Sequence, residues 1–325
     1  MSVASRTADA RSSFIPVSIQ TLRISRATGI RLYVRESATG RHRLYCEKGV
    51  PLTESDLEKL LARGLTTLFV MSGEYAGYLG QLRENLPAVL ADESVPVVER
   101  FAQLNDVVRN ELAECFRRGD VDNTVTTCRD LARWIVDLLC RKDAMTCDLL
   151  GVLHHDYHTF THSANVAYYC VLLAKALGLT LGDEMHGLAV GALLHDLGKL
   201  DIPNNILTKP GALTAVERAV IQEHPHTGFL KLCQRRDMSH GQLMMVYQHH
   251  ERLNGEGYPV RHFGPEIHDW AKLCAVVDVY EALTSRRPYG RSPSRAAAFA
   301  ILDRDSGTAL DKELLACWIH AIAPT

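Results

Sequence analysis

The apolar residues of this chain change their spacing once, and that change limits the fold more than any other feature. From Phe14 to about Met71 they alternate, as Ile15, Val17 and Ile19, then Ile30, Leu32 and Val34, then Leu44 and Cys46, which is the period of short half-buried strands. Within this stretch Thr53 and Asp56 predict a capped helix over Glu54 to Ala62, closed by Gly64, and residues 66–70 (TTLFV) predict a last strand. From about Pro96 to Cys140 the spacing becomes helical: Val97, Phe101, Leu104, Val108, Leu112 and Cys115, then Val121, Val125, Cys128, Leu131, Ile135 and Leu138. Two long amphipathic helices follow from that pattern, either packed within the chain or serving as a dimerisation or signal-relay stalk. Beyond residue 145 no strand pattern remains, only helices separated by Gly/Pro loops. The expected fold is therefore mainly α, with a small α+β unit over 1–90, a two-helix connector over 91–145 and an all-helical domain over 146–325.

Composition narrows the function. The 325 residues are 46% apolar and 23% charged, as in an ordinary globular protein, and the net charge of −2 offers no excess of cations for a nucleic acid duplex. The nine cysteines, Cys46, Cys115, Cys128, Cys140, Cys147, Cys170, Cys233, Cys274 and Cys317, contain no CxxC pair, so reduced thiols and a cytoplasmic location are expected. The longest apolar candidate, Ala164 to Ala174, is broken by Asn165 and ended by Lys175, so no membrane span is expected; nor does the N-terminus read as a secretory signal. Histidine is the outlier. Of 15, thirteen lie between His154 and His268.

Several of these sit where a metal could use them. His158 and His162 share a helix face at i, i+4 spacing. In AVGALLHDLGKLDIP, His195 and Asp196 end an apolar helix at Gly198, so an imidazole and a carboxylate fall around one point with Lys199 close by; an ordinary helix C-cap is the alternative. Thr214 and Glu217 cap a helix running to His224, His249 and His250 close another, and Asp278 stands between Val277 and Val279 on an otherwise apolar helix. Buried, these groups need partners. Five imidazoles (His162, His195, His224, His249, His250) and two carboxylates (Asp196, Asp278) form a nitrogen and oxygen set that suits a pair of first-row transition ions better than calcium or a structural zinc. Two ions about 3.5 to 4 Å apart stabilise the entering and leaving oxygens of a phosphoryl displacement.

The ordered blocks HSANVA (162–167), LLHDLGK (193–199), ILTKPGALTAVE to HP (206–225), HHERLNGEGYP (249–259) and DVYEALTSRRPY (278–289) resemble the HD-GYP family of cyclic di-GMP phosphodiesterases, a bacterial subgroup of the HD phosphohydrolases. The resemblance covers roughly residues 146 to 290. It implies an all-helical HD-type catalytic domain and two divalent metals, iron or manganese, one held by His162, His195, Asp196 and Asp278 and the other by Asp196, His224, His249 and His250. It further implies that Asp196 bridges them, that Lys199 contacts the scissile phosphate, that Arg287 holds a phosphate, and that Gly257, Tyr258 and Pro259 shape the substrate loop. The reaction implied is hydrolysis of cyclic di-GMP, with either pGpG or GMP as the final product, by a hydroxide held between the metals, in a cytoplasmic protein with a homodimer through the connector as a candidate assembly. The chain departs from the family pattern at Asn254, where an acid is usual, at Glu281, where Asp is usual, at Gly290, where a basic residue is usual and Arg291 follows instead, and at His158, where members with a third metal carry Glu. Two other readings stay open: a phosphohydrolase acting on another cyclic dinucleotide or nucleotide, and a nucleotide-responsive scaffold whose output is a protein contact.

Overall fold

A computed structural model describes residues 14–19, 22, 29–36, 39–142, 144, 146–150, 153, 159–285 and 295–323. The chain divides into two compact units, Met1–Val95 and Pro96–Thr325.

The first unit holds an antiparallel sheet of β1 (Phe14–Ser18), β2 (Leu32–Arg35), β3 (His42–Cys46) and β4 (Thr67–Met71) in the order β1-β4-β2-β3. Val17 lies opposite Leu68 and Ile15 opposite Val70, and Val17, Leu32, Leu68 and Val70 are buried, so the alternation puts one set of side chains into the core. Helix α1 (Glu54–Ala62) begins where predicted: the Thr53 hydroxyl accepts from the Asp56 N–H and the Asp56 carboxylate accepts from the Thr53 N–H. Helix α2 (Tyr75–Ala91) was not foreseen; it is weakly amphipathic and carries Pro87 inside it, which blurs its pattern in the sequence.

Among its described residues the second unit holds helices joined by loops and no strand. Helices α3 (Val97–Arg118) and α4 (Val121–Leu139) are separated by Gly119, at φ 67° in the left-handed region, and by Asp120, whose carboxylate accepts from the Asn123 N–H. The predicted stripe is the buried one: Phe101, Leu104, Val108, Leu112 and Cys115 on α3, and Val125, Cys128, Leu131, Ile135 and Leu138 on α4. After α5 (Thr146–Leu150) come α6 (Thr159–Ala176) and α7 (Asp183–Leu194), and α3 and α4 pack against this pair. The Phe101 ring meets the Tyr168 ring edge-on at 5.0 Å, the Tyr168 hydroxyl donates to Asn105 Oδ1 at 3.2 Å, and Lys175 donates to the carbonyls of Leu139, Arg141 and Ala144. The two helices of the expected connector pack within this unit, their apolar stripes covered by α6 and α7.

Helix α6 is buried from Ser163 to Ala174 almost without interruption, which makes it the axis of the unit; a helix apolar all round is stable only inside others. A 3₁₀ turn at Leu197–Asp201 leads to α8 (Asn204–Leu207), α9 (Ala215–Gln222), α10 (His224–Leu232), α11 (His240–Gln248), α12 (Asp269–Thr284), α13 (Arg295–Asp305) and α14 (Lys312–Ala321). Trp318 of α14, fully buried, packs on Tyr169 of α6 and Tyr280 of α12 at ring separations of 5.1 and 5.3 Å. Among the described residues no helix is long and apolar enough to cross a membrane.

The 3₁₀ turn is pressed against the start of α10. A Cβ on Gly198 would lie 1.9 Å from the His224 carbonyl oxygen and 2.7 Å from the Gly228 nitrogen, both backbone atoms that no side-chain rotation can remove. Gly198→Ala is therefore expected to destabilise the protein by about 3 kcal/mol, the upper range for overpacking, measured as a lowered urea midpoint; an unchanged midpoint would contradict the close approach.

Candidate metal centre

Helix ends converge on one buried point. His162 lies in the first turn of α6, His195 caps α7 and Asp196 follows it, His224 opens α10, His249 caps α11 with His250 next, and Asp278 lies within α12. All seven residues predicted as metal ligands meet there, in two groups: Asp196, His224, His249 and His250, and His162, His195 and Asp278. Asp196, wholly buried, stands between them. Its Oδ2 is 3.4 Å from His162 Nε2 and 3.5 Å from His195 Nε2, while its Oδ1 is 3.2 Å from His224 Nε2 and 3.8 Å from His249 Nε2. Asp278 closes the first group with Oδ1 3.0 Å from His162 Nε2, and its Oδ2 is 3.7 Å from His250 Nδ1.

The hydrogen bonds around the rings settle what the ring nitrogens offer. His195 Nδ1 faces the Ala192 carbonyl at 2.6 Å, His224 Nδ1 the Ile221 carbonyl at 2.7 Å, and His249 Nδ1 the Val246 carbonyl at 3.0 Å. A carbonyl only accepts, so each Nδ1 carries the proton and each Nε2 turns a lone pair inward. Two such nitrogens, of His224 and His249, face each other at 3.2 Å, and that of His195 lies 3.3 Å from His162 Nε2. Lone pairs at that distance repel unless something positive sits among them. Asp196 Oδ1 makes the same point: it is buried with no hydrogen-bond donor, its neighbour at 3.2 Å being the lone-pair nitrogen of His224. The cluster is able to hold divalent metal, and its donors lack only the cation.

The titration behaviour has the same cause. Burial, with neighbouring imidazoles, pushes His249 well down, and burial pushes His250 down to about 3 and also lowers His195, so these rings stay neutral. Burial would lower His162 too, but the Glu281 and Asp278 carboxylates outweigh it and raise the ring to about 10, so that without metal a proton takes the cation's place. Burial opposes ionisation of Asp196, yet the Lys199 ammonium beside it holds its carboxyl well below the usual range. The Lys199 ammonium lies 2.5 Å from Asp196 Oδ2, beside the ligands rather than among them.

The residues expected to shape a substrate loop are built against the centre. The Tyr258 ring stacks on His250 with ring centres 4.7 Å apart, and burial raises its hydroxyl pKa. The peptide bond from Tyr258 to Pro259 is cis. A Cβ on Gly257 would meet Glu251 Cα and Arg252 N at 2.4 Å, so only glycine fits. Glu251, buried, accepts from the backbone N–H groups of Val260, Arg261 and His262, and thereby holds Arg261 at a φ of 71° that glycine would favour. Asn254 accepts from the Glu256 N–H and stays away from the ligands. The KPG block is structural: Lys209 binds Glu217, the capping residue of α9, at 2.6 Å. Arg287, Gly290, Arg291 and His158 lie outside the described residues. Two residues were not foreseen as parts of the site. Glu251 was visible only as the acid after the paired histidines, and Glu281 only as a departure from the family pattern, though its carboxylate lies 2.5 Å from His162 Nδ1.

An all-helical fold whose helix ends gather histidines around a His-Asp doublet defines the class as HD-type. The HD domain family model matches residues 152–314, and the chain belongs to that family. Relatives include cyclic di-GMP phosphodiesterase PA4108 of Pseudomonas aeruginosa, 31% identical over 69% of this chain and 54% of that protein. They also include the cyclic di-GMP phosphodiesterase response regulator RpfG of Xanthomonas campestris, 37% identical over 50% of this chain and 43% of that protein. A third, 3'3'-cGAMP-specific phosphodiesterase 1 of Vibrio cholerae, is 41% identical over 42% of this chain and 31% of that protein. The chain spans about half the length of these proteins or less. The resemblance drawn from the sequence blocks is borne out by these matches. Among solved structures, Bd1817, an HDG"Y"P protein from Bdellovibrio bacteriovorus, matches with a TM-score of 0.67 and 21% identity over 94% of this chain and 98% of that one, a likeness of fold.

The opposed shifts predict how the metal-free protein responds to pH. His195, His249 and His250 stay neutral when folded but take up protons in the unfolded chain below about 6.5, so stability falls as pH drops under that value. His162 keeps its proton when folded after the unfolded chain has lost it, so its contribution is lost as pH rises from about 6.5 through 10. The urea midpoint of chelated protein is expected to peak near pH 6.5 and fall on both sides. A midpoint that keeps rising to pH 9 would contradict the His162 assignment.

Proposed function

We propose that this chain is a metal-dependent phosphodiesterase that hydrolyses a cyclic dinucleotide, with cyclic di-GMP as the first candidate substrate and pGpG or GMP as the final product. The observation that carries the reading is Asp196, a buried carboxylate whose two oxygens are divided between two groups of imidazole lone pairs. Such a residue suits two cations side by side, one with His162, His195 and Asp278 and the other with His224, His249 and His250. The nitrogen and oxygen donors, without thiolate, favour iron or manganese. Bound there, the ions supply Lewis acidity for the phosphoryl oxygens and acidify water at neutral pH.

The chain's own groups do the rest. The Lys199 ammonium, fixed beside the bridging carboxylate, is placed to meet a phosphate at the metals and offset the charge that grows on it in the transition state. The Tyr258 ring, stacked on His250, walls the site and offers a face to a base or ribose, and Glu251 and Gly257 keep that loop in place. Arg287 is proposed as a second phosphate contact through its planar fork. Relatives named for cyclic di-GMP and for 3'3'-cGAMP both match, which supports the substrate class and makes the choice of dinucleotide the open variable.

Incubating manganese- or iron-loaded protein with a panel of cyclic dinucleotides and identifying products tests the reading; no turnover with metal confirmed bound would sink it in favour of a scaffold. Asp196→Ala is expected to lose both ions and all activity together. Lys199→Ala is expected to keep its metal content and lose about 100- to 1,000-fold in kcat, the scale for removing a transition-state charge partner; normal turnover would remove Lys199 from its role.

A further inference from the structure

We propose that Glu281 is a positioning residue that makes the two metal positions unequal, holding His162 for the ion shared with His195 and Asp278 and rendering that position the more anionic and tighter one. The inference rests on the two-ion reading of the centre. Its starting point is a difference among the rings. His195, His224 and His249 each donate Nδ1–H to a neutral backbone carbonyl, whereas His162 donates to a carboxylate, Glu281 Oε2, at 2.5 Å. A carboxylate behind an imidazole makes the far nitrogen more basic and a stronger ligand than a carbonyl does.

Glu281 is itself held. It is 2% exposed, and its other oxygen accepts from Asn165 Nδ2 at 3.1 Å and from the Ser285 hydroxyl. The helical period generates the arrangement. Asn165 lies three residues after His162 on α6, and Glu281 three after Asp278 on α12, so the facing helices present a metal layer, His162 with Asp278 at 3.0 Å, and one turn further on a supporting layer, Asn165 with Glu281. Around the first position stand Asp278, one oxygen of Asp196 and, one bond removed, Glu281; around the second stand three imidazoles and the other oxygen of Asp196. More negative charge favours a divalent cation at the first. Glutamate is required rather than aspartate, since a carboxyl one methylene shorter, by about 1.5 Å, would retreat from Nδ1.

Manganese titration of metal-stripped protein, followed by the spin-resonance signal of the free ion, separates the outcomes without reading activity. Wild type is expected to bind two ions per chain with unequal affinity. Glu281→Gln, which keeps the length and loses the charge, is expected to weaken the tighter ion 10- to 100-fold and leave the other unchanged, with an unaltered circular dichroism spectrum. Glu281→Ala is expected to lose that ion, and so is His162→Ala. Both Glu281 variants binding both ions as wild type does would overturn the proposal, as would an equal weakening of the two. Wild type binding no manganese would overturn the two-ion reading and this inference with it. Two bound ions, the tighter one lost in Glu281→Ala, in a protein that hydrolyses no cyclic dinucleotide would support the inference and sink the proposed function alone.

Discussion

A buried carboxylate cannot stay ionised in a protein interior without positive partners, and the centre of this molecule is organised around satisfying one. Asp196 is wholly buried, and each of its oxygens is turned toward a different set of imidazole nitrogens. Its charge is held by Lys199 at one oxygen, while the other has no donor at all. The surrounding helices end where they do because their last or first residues must reach this group: α7 at His195, α10 at His224 and α11 at His249.

The packing that brings the ends together leaves little room for variation. Gly198 exists as glycine because the chain leaving Asp196 runs against the backbone of His224, and Gly257 because the loop after His250 folds back onto Glu251. Helix α6, apolar on all sides, is enclosed by α3, α4, α7, α12 and α14, and that enclosure fixes the height of His162 along the axis. Backbone carbonyls behind three of the five rings and a carboxylate behind His162 then set which nitrogen these four offer. The rigidity of the scaffold is thereby transmitted to the orientation of the ligands, which is what a metal centre needs to be ready before its ion arrives.

Much of this was legible residue by residue. The capped helix at Glu54 follows from Thr53 and Asp56 because capping is a local hydrogen-bond exchange, and the stripes of α3 and α4 follow from helical spacing. The seven ligand candidates were legible because a histidine or an aspartate on an apolar helix needs a partner, and blocks in a characteristic order narrowed the partner to metal. Helix α2 was not legible, since its apolar residues are spread round the helix and Pro87 interrupts it. Glu281 was not legible as part of the centre, because its partner His162 is 119 positions away in the chain, and Glu251 was not, because its bonds to the N–H groups 9 to 11 residues on depend on the path of an irregular loop.

By itself the amino-acid sequence determined the period of each segment, the caps that start its helices and the chemical kinds of group available for a metal, since these depend on neighbours a few residues apart. Tertiary structure alone decided how the ligands divide into two groups about Asp196, which ring nitrogen four of the five histidines turn inward, and that one of these rings is backed by a carboxylate while three are backed by carbonyls. Those outcomes depend on where helices distant in sequence come to rest against one another, and burial, which removes water as the alternative partner, gives each of them its energetic weight.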